Sequence, residues 1–383
     1  MIAWIGDNII SSLGFTTGEN YQAVLAGRSG TRLREYAGLP ESFMASLIDR
    51  ERLESECAGI PAGKESPLEK AAILSATRAA TEAGIDLSSP RVQFFFSSTK
   101  GNVALLDGLA PGSRREEIYP WHSARIVSRH FGNPNEPVVI SNACISGASA
   151  QVAALRALEA GRCDHAAVIG AEMLSRFIVS GFQCLKALSP ETCRPFDANR
   201  TGLNLGEAAA TVIYKRASQG DRGIMLARGV TRNDANHISG PSRTGEGCFL
   251  ALKATLDGID PGEIAFVNAH GTATPYNDRM EAIALARAGL NNVPVNSLKG
   301  YFGHALGAAG VLESIISTRA LMEKWVIASK GFETREEEYP LNVTKQGART
   351  GKPYCVKMLS GFGGCNAVLL FKRVDDETGD REI

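Results

Sequence analysis

The chain carries no CxxC pair. Its eight cysteines, at positions 57, 144, 163, 184, 193, 248, 355 and 365, are scattered over 383 residues. That spacing excludes a zinc ribbon and a redox dithiol, and the density is far from that of a disulfide scaffold. Neither sign of charge is in excess. Lys plus Arg and Asp plus Glu number 41 each, so the formal net charge is zero. Such a balance offers no footprint for nucleic acid and no polybasic attraction to a membrane. No long uninterrupted apolar run is present, so no transmembrane helix is expected. The opening Met-Ile-Ala-Trp-Ile-Gly-Asp-Asn lacks the basic start and apolar core of a secretory signal. Together these absences predict a cytoplasmic protein with free thiols. What the chain has in quantity is glycine, 40 residues, which suits tight strand–helix junctions and close backbone approach.

Apolar β-rich runs alternate with Ala-rich helical stretches, the pattern of an α/β layered fold. Val92 to Phe96, Val138 to Ile140, Ala166 to Ile169 and Ala210 to Tyr214 read as buried strands. Pro67 to Ala83 reads as a helix, with Ser66 as N-cap, Glu69 completing a capping box and Gly84 past its end. Ala143 to Ala160 reads as a second helix closed by Gly161. The later chain repeats the order: strands at Ile264 to Asn268, Val293 to Val295 and Ala367 to Phe371, and a helix at Gly307 to Glu323. The repetition predicts two duplicated halves, residues 1–216 and 217–383.

Four segments carry chemistry-bearing residues. In Ser141-Asn142-Ala143-Cys144-Ile145-Ser146-Gly147 a strand gives way to a helix. Cys144 falls near that helix N-terminus, where unpaired N–H groups and the macrodipole favour a thiolate. The plain alternative is a packing thiol. In Asn268-Ala269-His270-Gly271-Thr272-Ala273-Thr274 a His follows an apolar strand, at the strand end where open α/β sheets bind ligands; a turn histidine is the alternative. Lys299 and His304 sit in a Gly-rich helix entry that contains no GK[ST] and so is not a phosphate loop. Glu313 lies within the helix that follows, placed to hold Lys299 or a water. Gly361-Phe362-Gly363-Gly364 is a turn whose N–H groups can face an oxyanion. Each segment has a bland structural reading when taken singly. One Cys and two His together have one coherent use, acyl-thioester chemistry, in which Cys holds the acyl group and the imidazoles stabilise an enolate. A Cys–His hydrolase would want a single His with an orienting partner.

These segments, with Pro195-Phe196-Asp197 through Gly206-Glu207 and Asn233 to Gly247, resemble the elongating β-ketoacyl-acyl-carrier-protein synthases of the thiolase superfamily, over nearly the whole chain. The resemblance implies a thiolase-like α-β-α-β-α fold. The implied reaction is decarboxylative condensation of a Cys-bound acyl group with malonyl-acyl-carrier protein, in fatty-acid, polyene or other secondary-metabolite synthesis. Cys144 matches the nucleophile, and His270 and His304 match the malonyl-activating pair supported by Lys299. Phe362 matches the gate and, with the Cys144 N–H, the oxyanion hole. Thr272 and Thr274 match contacts to the phosphopantetheine arm, and Glu313 and Asp278 match structural supports. The resemblance implies no metal and no cofactor of the chain's own, since substrates arrive on the carrier's phosphopantetheine. It implies as partners an acyl carrier protein and a second subunit, in a homodimer or a heterodimer with a related chain. The alternative is a chain-length-factor-like subunit, non-catalytic or partner-dependent; such chains typically lack the Cys. Arg125, Arg129, Lys64 and Lys70 are candidates for a basic carrier-docking patch. Thr201, Leu203 and the segment from Gly101 to Val138 depart from the family pattern, which leaves the acyl chain class open.

Overall fold

The computed structural model describes residues 1–36, 38–39, 41–59, 65–108 and 116–375. Ten strands pair into one mixed sheet. Five precede residue 217: β1 (Ile2–Ser11), β2 (Val92–Ser97), β3 (Val138–Ile140), β4 (His165–Glu172) and β5 (Ala208–Arg216). Five follow it: β6 (Gly223–Asn233), β7 (Ile264–Asn268), β8 (Val295–Asn296), β9 (Tyr354–Gly361) and β10 (Cys365–Val374). The order across the sheet is β3-β2-β4-β5-β1-β6-β10-β9-β7-β8. Read inward from either edge, the second set repeats the first. Directions repeat as well: β2 is parallel to β3 and β4, as β7 is to β8 and β9. The pairs β4–β5, β5–β1, β9–β10 and β10–β6 are antiparallel. The two sets join through the pairs Ile2–Leu226 and Ala3–Met225.

Eight helices matter for the site: α1 (Pro67–Ala83), α2 (Pro120–His130), α3 (Ser146–Glu159), α4 (Arg176–Cys184), α5 (Glu246–Thr255), α6 (Pro275–Arg287), α7 (Lys299–Phe302) and α8 (Leu306–Met322). Helix α1 covers β1, β4 and β5 from outside, and α5 covers β6 and β10. Helices α3 and α8 pack on each other and on strands of both sets, which gives the thiolase-like α-β-α-β-α layering. Burial explains their composition. Nearly every residue of α8 is buried, so it has no polar face to present. Its glycines and those of α3 allow close approach: a Cβ at Gly147 would lie 2.9 Å from the Val311 nitrogen.

Helix α1 has the bounds and capping that its sequence predicts. Ser66 accepts from the Glu69 N–H, Glu69 accepts from the Ser66 N–H at 2.8 Å, and Gly84 closes the end at φ 65°. Elsewhere the structure corrects the reading. The helix expected from Ala143 begins at Ser146, because Ala143 takes φ 45° and Cys144 is still extended enough to bridge Asn142. The strand expected at Val293 to Val295 is Val295–Asn296. Among the described residues no helix is long and apolar enough to cross a membrane.

Candidate active site

Three strand ends and two interior helices bring the predicted residues together. Cys144 stands two residues before α3 and His304 two residues before α8. His270 follows the end of β7. The three are 7%, 1% and 2% exposed for Cys144, His304 and His270 respectively. His304 Nε2 lies 3.0 Å from Cys144 Sγ. The two imidazoles meet edge to face, with centroids 4.9 Å apart. One ligand-type atom from each of the three residues falls within 4.8 Å of the others.

Carboxylates hold this cluster from behind. Glu281 accepts from the His270 and Gly271 N–H groups, both at 2.7 Å. Asp278 accepts from Phe196 N at 2.7 Å and Ala273 N at 3.2 Å, tying the Pro195-Phe196-Asp197 segment to the histidine loop. Glu313 pairs with Lys299 through one oxygen and, at 2.5 Å through the other, with Lys357. Lys357 also donates to the Ala269 carbonyl at 3.1 Å. Glu172, at the end of β4, accepts from Thr99 N and Gly307 N at 2.8 and 2.9 Å and so secures the start of α8. Sequence reasoning missed Lys357 and Glu172. The signal was available: Lys357 lies within the otherwise apolar run Tyr354 to Leu359 and Glu172 ends the run Ala166 to Ala171, and such a charged residue is buried only when paired.

Electrostatics sets the resting protonation states. Burial pushes the Cys144 thiol up to about 12, against the pull of Lys299. The thiolate expected from the helix start is therefore not the resting form, because burial disfavours the charged sulfur. Burial, with Lys299 and Lys357 adding to it, holds both imidazoles well below the ordinary histidine range. Cys144 and His304 thus face each other as thiol and neutral imidazole. Burial opposes the Glu313 carboxylate, but the two lysines outweigh it and keep the group ionised. Burial pushes the Lys357 ammonium down to about 8.

Two cavities reach Cys144. The first is lined by His270, His304, Thr272, Thr274 and Phe362. The hydroxyls of Thr272 and Thr274 are 2.9 Å apart and bond each other. The second, about 210 Å³, is apolar and is lined by Phe177, Ile178, Leu185 and Leu306. Phe182 and Phe362 line both. Gly361 passes beside the nucleophile: a Cβ there would lie 3.2 Å from Cys144 N. The candidate docking cations are less available than the sequence suggested. Arg125 pairs with Glu136 at 2.8 Å and Lys70 with Glu54 at 2.6 Å, while Lys64 lies outside the described residues.

The chain matches the family models for the β-ketoacyl synthase N-terminal domain over residues 2–220 and C-terminal domain over residues 222–333. It is 29% identical to a 3-oxoacyl-[acyl-carrier-protein] synthase 2 of Vibrio cholerae, covering 96% of this chain and 98% of that one. A β-ketoacyl synthase structure from Burkholderia phymatum superposes with a TM-score of 0.88 at 27% identity, over 98% of this chain and 99% of that one. A Xenorhabdus doucetiae ketosynthase, solved in complex with its chain length factor, gives 0.86 at 25% identity, over 97% and 98% of the two chains.

Proposed function

The chain belongs to the β-ketoacyl synthase family and is an acyl-transferring enzyme, and from that premise we propose that it condenses a Cys144-bound acyl group with malonyl-acyl-carrier protein. The observation that carries the reading is the Cys144–His304–His270 cluster at the meeting of two cavities. Cys144 attacks an acyl thioester as its proton passes to His304; the carrier C–S bond then breaks, and His304 returns that proton to the departing carrier thiolate. Transfer and attack go together, since burial disfavours a standing thiolate–imidazolium pair. The N–H groups of Cys144 and Phe362 hold the oxyanion, and the acyl chain enters the apolar cavity. The malonyl arm then occupies the other cavity, along Thr272 and Thr274. Neutral His270 and His304 donate to its thioester carbonyl. The bond to the carboxylate breaks, CO₂ leaves, and its electron pair becomes the enolate. The enolate carbon attacks the acyl carbonyl, the C–S bond breaks, and the Cys144 thiolate takes up a proton from solvent.

A cysteine and two histidines this close also have the makings of a metal site. Lys299 and Lys357 bear on the same imidazoles as cations and oppose a dication there, so we assign the cluster to substrate. The chemistry needs no cofactor of the chain's own, the phosphopantetheine being the carrier's. An acyl carrier protein is thus one partner. A second synthase-fold subunit, identical or related, is the other. Edge strand β3 exposes Val138, α4 exposes Phe177, and Leu185 is exposed just past the end of α4, apolar surface suited to such a subunit. The Xenorhabdus ketosynthase with its chain length factor supports the pairing. Retention of Cys144 and both histidines favours the catalytic role over that of the inactive member. All eight cysteines are free among the described residues, as suits a reducing cytoplasm.

The test is mass spectrometry of Cys144 with acyl carrier proteins of varied chain length, alongside CO₂ release from malonyl-carrier. Wild type forms the adduct and the 3-oxoacyl product; Cys144→Ala forms neither. Cys144→Gln still releases CO₂, and adding His304→Ala stops it. Condensation retained in Cys144→Ala would overturn the assignment.

A further inference from the structure

Lys357 occupies the middle of β9 with its side chain wholly buried, between Val356 and Met358. Its ammonium has three neighbours: Glu313 Oε2 at 2.5 Å, the Ala269 carbonyl at 3.1 Å and the Asn268 carbonyl at 3.4 Å. The two carbonyls end the strand that delivers His270. The carboxylate belongs to α8, the helix that His304 precedes, and its other oxygen takes Lys299. One side chain therefore spans the two segments that carry the imidazoles.

The charge count is the telling part. Lys299 and Glu313 alone would form a neutral buried pair. Lys357 adds a second ammonium to the same carboxylate, leaving an excess cation in a dry interior, an arrangement that costs stability without helping packing. The other ionisable groups facing it are Glu281 on α6 and the two imidazoles. Burial and Asp278 raise Glu281 to about 7, so it cancels the excess only in part. A brace alone would need a hydrogen-bond donor and no charge.

We propose that Lys357 is a positioning residue of the decarboxylation half-reaction, bracing the His270 strand end against Glu313 and supplying the buried cation that keeps both imidazoles neutral and favours the enolate. It never touches substrate and acts through His270, His304 and the local field. The inference rests on the condensing role proposed above.

Two variants separate charge from brace. Lys357→Met keeps the length and loses both. Lys357→Gln keeps a donor for the carbonyls and loses only the charge. CO₂ release from malonyl-carrier is followed against pH in the full chain carrying Cys144→Gln. Both variants are expected to lower the rate at neutral pH by about tenfold and to move the acidic limb up by about one pH unit, the scale of one charge acting at close range. Wild type should also lose rate as pH rises past about 8, where Lys357 discharges, and that alkaline limb should vanish in both. Thermal midpoints should hold or rise in Lys357→Gln, where a buried cation is removed and the donor to the carbonyls kept. A wild-type profile in Lys357→Gln would overturn the charge role, and unmoved limbs in both variants would overturn the proposal. Acylation of Cys144 in the wild-type chain, measured in parallel, tests the functional reading alone: its failure sinks that reading, whereas normal acylation with unmoved limbs sinks only this inference.

Discussion

Phe182 and Phe362 stack with ring centroids 6.0 Å apart and 29° between planes, and the pair walls off one Cys144 cavity from the other. Phe362 is 40% exposed, and it sits at a turn where Gly363 and Gly364 take φ 81° and 73°, conformations that favour glycine.

Phe362→Ala should join the two cavities. Malonyl-carrier would then be decarboxylated before Cys144 is charged, and condensation should fall by about tenfold or more from lost alignment of the reacting carbons. The ratio of CO₂ released to 3-oxoacyl product checks this; wild type stays near one, and the variant rises well above it. A ratio unchanged from wild type would show that the ring does not order the steps.

The protonation state of Cys144 makes a second prediction. Because its thiol is pushed up to about 12, the thiolate fraction at neutral pH is tiny and grows tenfold with each pH unit. Iodoacetamide labelling of Cys144 should therefore keep rising through pH 9 and show no plateau near pH 6 or 7. A plateau there would reveal a preformed ion pair with His304.

A third concerns the crossing of α3 and α8. A Cβ at Gly310 would overlap the Ala148 nitrogen and approach Leu359 Cδ1 at 3.0 Å. Gln151, which donates to the Gly310 carbonyl at 3.1 Å and accepts from Tyr214 at 2.7 Å, holds the crossing in place. Gly310→Ala should cost ~1–3 kcal/mol in denaturant unfolding, the range of overpacked cores. Activity should drop further than stability, because the helix starts carry Cys144 and His304. Full activity in a folded variant would mean that the helices can part without moving the site.

The sequence made the periodic and punctuated parts legible. Ser66, Glu69 and Gly84 set the ends of α1 through local hydrogen bonds, so local reading sufficed. The segments around Cys144, His270 and His304 were recognisable as junctions, and their assembly agrees with that reading in place. What escaped was decided at long range. Cys144 and His304 are 160 residues apart, and nothing local reports the burial that makes one a thiol and the other a neutral base. Lys357 gains its part only from Glu313, which reaches it from α8. Phe182 had no motif of its own; only its stacking on Phe362 gives it a part. The late start of α3 followed from the φ of Ala143, which the Ala-rich run concealed.

The repeated strand order has one more consequence. The group that captures the acyl chain lies in the first set of strands, and those that generate the carbanion lie in the second. Loss of Cys144 therefore removes acyl capture and leaves the carbanion-generating groups in place, whereas His304, which faces Cys144 at 3.0 Å, serves both halves.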